Sequence, residues 1–315
     1  MEVGMKLIIG TRGSALALWQ ARHVASLIER NRPDTQVDLV TIKTTGDKIL
    51  EAPLARIGEK GLFTKEIEEA LLDHRVDLAV HSMKDLPTDL PQGLQLAAVL
   101  KREDPRDVFI SRDGRGLERL EKGAAVGTSS LRRRAFLLSK FPGLDVVSVR
   151  GNVETRLRKI HSENLAGVIL ASAGITRMGF SDRITQYVES EMMIPAIGQG
   201  ALGIETRMDD SAVNEAVAFL DHAESRACVD AERAFLHRMG GGCAVPMAAY
   251  AVADGDSMTV TAAVIHPDGT PAVRERLSGP VSDPSVGTRL ADILIERGAA
   301  SIAREVLGPD WKPGL

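Results

Sequence analysis

The chain is predicted to be an α/β protein: two αβ halves joined by two crossings, followed by a small α+β domain. Three observations predict this. Apolar runs of strand length are repeatedly followed by a loop and a stretch with helical spacing. Two proline-containing segments, Lys101–Asp107 and Ile194–Gly200, interrupt that alternation. Beyond Ala223 the pattern changes to one helix, a glycine-rich loop and alternating strands. At 315 residues, 44% hydrophobic and 26% charged, the chain can bury at least one full core, and its length suits two or three domains.

Taken in order, Leu7-Ile-Ile-Gly reads as a strand, and Ser14 opens a helix marked by Ala17, Ala21, Val24 and Ile28. Val37 to Lys43 is a second strand. Thr44 to Gly61, with Gly46, Pro53, Gly58 and Gly61, has little periodicity and reads as a long loop, mobile or functional. Phe63, Ile67, Ala70, Leu71 and His74 mark the next helix; Asp77 to Ser82 and Leu94 to Leu100 are strands. After the charged crossing the pattern restarts. Ala125-Val-Gly leads to a helix at Leu131–Lys140, Val146–Val149 to a helix from Asn152, and Gly167–Ala171 to a helical turn. Ala201–Glu205, after the second crossing, is a strand available to return to the first half. Cys228 lies on a helix whose Ala227, Ala231, Ala234 and Phe235 form one side, which indicates core packing. Strands such as Met258–Val264 and a helical pattern from Val286 to Val306 close the chain. The expected domains are residues 1–100 with 201–218, 106–194, and 223–315.

Composition narrows the function. A net charge of −4 and 3% aromatic residues argue against a nucleic-acid partner. No apolar run is long enough to span a membrane, and the first residues carry no secretory pattern. Two cysteines do not make a disulfide framework, so a cytoplasmic protein is expected. No coiled-coil seam or broad apolar stripe calls for a second copy, and a monomer is expected. The seven histidines include no pair at metal-ligand spacing, so no metal is expected.

The remaining signals are chemical. Arg12, Arg132, Arg133, Arg150, Arg156 and Arg177 all follow strand ends, where ligands bind in open α/β sheets, and arginines from both halves could face one cleft. Arg132, Arg133 and Arg134 fall in the first turn of a helix begun by Ser129 or Ser130, against the positive end of its dipole. A bound anion, met also by Thr128, Ser129 and Ser130, would offset that placement. Phosphates and carboxylates fit equally, but there is no phosphate-binding glycine loop of either common kind. A ligand with several carboxylates is therefore favoured. In Val80-His-Ser-Met-Lys-Asp85, the acid follows a strand end; among arginines it would be ionised and suited to stabilising developing positive charge. His81 reads as a packed strand residue. Cys243, in Met239-Gly-Gly-Gly-Cys-Ala-Val-Pro, is offered from a loop that no helix or strand can absorb. It is either a thiol for chemistry or covalent attachment, or a cysteine buried beneath a sharp turn.

Thr11-Arg-Gly-Ser-Ala-Leu-Ala-Leu, Val80-His-Ser-Met-Lys-Asp, Val126-Gly-Thr-Ser-Ser-Leu-Arg-Arg, Val149-Arg-Gly-Asn-Val-Glu-Thr-Arg, Pro195-Ala-Ile-Gly-Gln-Gly, Ala231-Glu-Arg-Ala-Phe-Leu and Gly240-Gly-Gly-Cys form an ordered set. Together they closely resemble the porphobilinogen deaminase (hydroxymethylbilane synthase) family over nearly the whole chain. The resemblance implies two lobes like those of a solute-binding protein, joined by two hinge crossings, with a third domain carrying the cysteine loop. It implies stepwise head-to-tail condensation of porphobilinogen with loss of ammonia, giving hydroxymethylbilane for haem and other tetrapyrroles. It further implies a dipyrromethane cofactor in thioether linkage to Cys243. Asp85 would be the catalytic residue, accepting hydrogen bonds from pyrrole N–H groups and stabilising the azafulvenium cation. Lys84, Asp85, Thr128, Ser130, Arg132, Arg133 and Arg156 would hold the cofactor. Arg12, Ser14, Ser82, Arg150, Arg156 and Arg177 would hold substrate carboxylates. Arg134 receives no role, and Arg56 and Lys60 of the long loop are available to acidic side chains.

The rival from another class is a noncatalytic binding protein for polycarboxylate or tetrapyrrole ligands. Such a receptor needs neither a covalent anchor nor a cation-stabilising acid, and Cys243 and Asp85 discriminate against it.

Overall fold

The computed structural model describes residues 4–48, 63–240 and 246–314. By packing, the chain divides into two units, Met1–Arg102 with Ala201–Arg226, and Glu103–Gly200 with Ala227–Leu315. The first unit begins with strands β1 (Lys6–Thr11), β2 (Gln36–Thr41), β3 (Leu78–Ser82) and β4 (Leu94–Val99). The second supplies β5 (Asp107–Ser111), β6 (Ala125–Gly127), β7 (Asp145–Val147), β8 (Gly167–Ala171) and β9 (Gln186–Val188). The chain then returns for β10 (Leu202–Arg207) before forming β11 (Met247–Asp254), β12 (Ser257–Ile265) and β13 (Ala272–Pro280).

The first sheet has the order β2-β1-β3-β10-β4 and the second β7-β6-β8-β5-β9. In each, three neighbouring strands run parallel. The fourth is reversed, pairing antiparallel on both sides. In both sheets the reversed strand, β5 or β10, is the one made just after the chain crosses from the other unit. The predicted return of the segment after Ala201 to the first sheet is thus observed, and the mixed α/β architecture with it.

Local rules account for the helices. Ser14 caps helix Ala15–Asn31 by accepting from the Ala17 amide at 3.3 Å, and the helix buries Ala21, Val24 and Ile28 against β1 and β3 residues Leu7, Ile9 and Leu78. Burial of such aliphatic side chains is worth about 1.5–3 kcal/mol each. Helix Leu131–Lys140 matches the predicted bounds, and Asn152 caps Val153–Ser162 by accepting from Thr155.

In the second unit, Phe109, Val126, Phe136 and Ile169 share a cluster with Ala248, Ala263 and Ile265 of the antiparallel sheet β11-β12-β13. Glu232, fully buried on helix Ala223–Arg238, accepts from the Gly198 amide at 2.7 Å and the Ala251 amide at 2.9 Å, tying the second crossing to β11. Cys228 is buried on the same helix, in the core with Val260 and Leu290, as its spacing predicted. The continuous helix expected from Val286 to Val306 is corrected. Helices Ser285–Leu294 and Ala300–Leu307 are separated by a π-helical turn at Ile295–Ala299, where Gly298 has φ 109°. Apolar spacing on either side carries through the break, so periodicity alone does not reveal it, while glycine permits the left-handed backbone.

Candidate functional site

In the second unit the parallel strands β6, β7 and β8 end side by side, and the predicted residues follow those ends. Thr128 lies directly after β6; its Oγ1 accepts from the Ser130 amide at 3.2 Å, and Ser130 caps the next helix by accepting from the Arg133 amide at 3.4 Å. The hydroxyls therefore shape the helix start that carries Arg132 and Arg133. After β7, Arg150 is half-buried, and Arg156 donates from Nε to the Gly151 carbonyl at 2.7 Å. Gly151 has φ 116°, and a Cβ there would come within 2.6 Å of Thr155 Cγ2, so only glycine allows this tight approach to the helix. After β8, Arg177 is buried and donates to the Gly200 carbonyl at 2.7 Å. Burial lowers its pKa against the opposing charge of Glu103.

The offset for cations at a helix N-terminus, sought in the sequence as a bound anion, is supplied in part by the protein. Asp107, the fully buried first residue of β5, receives Arg132 Nη2 on Oδ2 at 2.6 Å. Its Oδ1 receives Arg133 Nη2 at 2.8 Å and Nε at 3.0 Å, and Gln199 Nε2 at 3.0 Å. Arg132 also donates to the Ile194 carbonyl at 2.6 Å and Arg133 to the Ile169 carbonyl at 3.1 Å. Burial alone would raise the Asp107 carboxyl, but the two arginines outweigh it and hold it at about 2. Burial pushes the Arg132 guanidinium below its ordinary value, and Asp107 opposes that shift. One carboxylate against two guanidiniums leaves a positive surplus, and each arginine keeps at least two N–H donors beyond these bonds. Arg134, which had no role, donates to the Val146 carbonyl and faces Asp268 at 3.6 Å.

The first unit repeats the arrangement at the ends of β1 and β3. Arg12 follows β1 and stacks its guanidinium 4.2 Å from the Phe63 ring centre. Ser14 caps the next helix. Ser82 ends β3, and its Oγ accepts from Gln20 Nε2 at 3.0 Å. A 3₁₀ turn, Met83–Asp85, then presents half-buried Lys84 and exposed Asp85. Beneath it, His81 Nε2 lies 2.8 Å from Oε2 of the fully buried Glu205.

The structure thus gathers Thr128, Ser130, Arg132, Arg133, Arg150, Arg156 and Arg177 at one sheet edge of the second unit. It gathers Arg12, Ser14, Ser82, Lys84 and Asp85 at the corresponding edge of the first. Cys243, Arg56 and Lys60 lie outside the described residues. Sequence reasoning missed Asp107, Gln199 and Gln20. A signal existed for Asp107, a single acid opening the otherwise apolar run Val108-Phe-Ile, but it reads as the end of a charged linker.

Two family models match the chain: the dipyrromethane cofactor binding domain of porphobilinogen deaminase over residues 7–215, and the C-terminal domain of porphobilinogen deaminase over residues 226–295. A porphobilinogen deaminase of Trichlorobacter lovleyi is 54% identical over 302 residues, covering 96% of each chain. One of Geobacter sulfurreducens is 52% identical over 302 residues, covering 96% of this chain and 95% of its own. Among solved structures, a periplasmic solute-binding protein from Desulfovibrio salexigens is 12% identical, with a TM-score of 0.43 over 69% of this chain and 72% of its own, a likeness too weak to carry a conclusion.

Proposed function

Because the chain belongs to the porphobilinogen deaminase family, we propose that it is a transferase that joins porphobilinogen units head to tail, releases ammonia and yields hydroxymethylbilane for tetrapyrrole synthesis. The observation that best supports this reading in the structure is the pairing of arginines with hydroxyls at the strand ends of each unit. A growing chain with an acetate and a propionate on every ring needs a cation for nearly every arm.

The donor chemistry fits the dipyrromethane cofactor. Arg132 and Arg133 carry net positive charge beyond Asp107 and spare N–H donors, Ser130 and Thr128 add hydroxyls, and all are held by the protein before any ligand arrives. In this proposal Lys84, Asp85, Thr128, Ser130, Arg132, Arg133 and Arg156 hold the cofactor, and Cys243 is its thioether anchor. When bound, the cofactor supplies the pyrrole end from which the chain grows. Arg12, Ser14, Ser82, Arg150, Arg156 and Arg177 take substrate carboxylates. Asp85, exposed on the turn, stabilises the positive charge that develops as ammonia leaves porphobilinogen and accepts hydrogen bonds from pyrrole N–H groups. Arg12 lies over the Phe63 ring, which helps to set its fork for a carboxylate.

The working form is proposed to be a cytoplasmic monomer; a buried Cys228 outside any disulfide suits a reducing compartment, and sedimentation with cell fractionation tests both points. The activity is tested by intact mass and peptide mapping before and after porphobilinogen is added. A dipyrromethane increment on the Cys243 peptide, with further pyrrole increments after substrate, is expected. A Cys243 that stays bare in the presence of porphobilinogen would instead favour a noncatalytic binder.

A further inference from the structure

Glu205 is a fully buried carboxylate in the middle of the first sheet, on the strand that returns after the second crossing. Its Oε2 is bound by His81, itself 6% exposed, but its Oε1 has no protein partner. Glu68, on helix Lys65–Leu72, is also buried, near the Thr64 hydroxyl at the start of that helix. Burial raises the Glu68 pKa, the Thr64 hydroxyl opposes that, and the neighbouring Glu205 raises it further while His81 lowers it. A buried carboxylate with one donor is costly to keep and calls for a function.

The His81–Glu205 pair adjoins, along β3, the turn that carries Asp85. His81 is separated from that turn only by Ser82. In the antiparallel register His81 faces Gly203 and Ser82 faces Leu202. The Met83 amide donates to the Ala201 carbonyl at 3.1 Å. Met83, 1% exposed, seats on Gly203, where a Cβ would fall 2.3 Å from its sulfur. Around the end of β3, then, the Met83 amide is bound to the residue just before β10, the Met83 side chain lies over Gly203, and His81 is bound to Glu205. Of these, the His81–Glu205 bond is the one made between two buried polar side chains, and it fixes the setting of β3 two residues before the turn.

We propose that Glu205 and His81 are positioning residues for Asp85, orienting the end of β3 so that the Asp85 carboxylate meets the charge developing on porphobilinogen. This rests on the deaminase reading and on the role given to Asp85 within it. Neither residue touches substrate; both act through the Met83–Asp85 turn. A displacement of about 1 Å at a reacting group can cost on the order of a hundredfold in rate, so loss of this bond has ample room to be seen.

The test is steady-state kinetics with porphobilinogen on cofactor-loaded protein, with rates normalised to the loaded fraction read by intact mass. Glu205→Leu, which removes the acceptor, is expected to lower kcat by about tenfold or more while KM stays within about twofold, because the binding arginines are untouched. His81→Gln, whose amide can still donate to Glu205, is expected to keep several times the kcat of His81→Ala. A folded, loaded Glu205→Leu protein with parental kcat overturns the proposal. If that variant does not fold, the histidine pair decides: equal kcat for His81→Gln and His81→Ala overturns it, and rescue by Gln supports it. A parent protein that is itself inactive on porphobilinogen would count against the deaminase reading instead, and the two failures are distinguishable.

Discussion

Arg132 Nη2 lies 2.6 Å from Oδ2 of Asp107, and both side chains are buried. The partners are 25 residues apart, one at the first crossing and one in the helix of the proposed cofactor site. Arg133 and Gln199 share the other carboxylate oxygen, so one acid organises two arginines and both crossings within the second unit.

Asp107→Asn should destabilise the protein by about 3–5 kcal/mol, because two guanidiniums lose their shared buried anion. The pH dependence has a definite sign. The carboxyl is held at about 2 against an ordinary 3.8, so its contribution is complete above pH 3.8 and is lost as pH falls from 3.8 towards 2. Urea unfolding of parent and variant should therefore converge across that window. A constant difference between them would remove Asp107 from the acid response.

Asp85→Ala should load cofactor and bind porphobilinogen yet turn over about 10²–10³ times more slowly, the usual effect of removing one electrostatic stabiliser from a transition state. Single-turnover measurements with ammonia detection check this. Near-normal turnover would exclude Asp85 from catalysis.

Cys243→Ser should abolish the cofactor increment in intact mass, while Cys228→Ser should retain it. The second variant instead puts a hydroxyl into the apolar core beside Val260 and Leu290, at a cost of about 1–3 kcal/mol seen in thermal unfolding. An increment that moves to the Cys228 peptide would overturn the assignment.

Gly151→Ala should cost roughly 1–3 kcal/mol, since φ 116° is strained for alanine and the new methyl meets Thr155. The Gly151 carbonyl anchors Arg156, so KM for porphobilinogen should rise as well. A variant with parental stability and KM would show that this turn does not hold the arginine.

Much of the fold was legible because its causes are local. Ser14, Ser130 and Asn152 each cap the helix that follows, and the apolar spacing after each cap marks the buried face. The break at Gly298 was not legible, since the apolar spacing runs through it. The site was legible as an inventory: the predicted arginines, hydroxyls and Asp85 do follow strand ends, because a strand end leading into a helix is itself a short-range pattern.

The sequence by itself determined the alternation of strands and helices, the residues available at each strand end and, through an ordered set of motifs, the family. Only the tertiary structure decided which buried acid answers which base. Arg132 meets Asp107 across 25 residues, and His81 meets Glu205 across 124. No local spacing encodes such pairs. They exist because β5 and β10 insert as reversed strands into sheets whose other members are parallel, and that placement is set by the path of the whole chain.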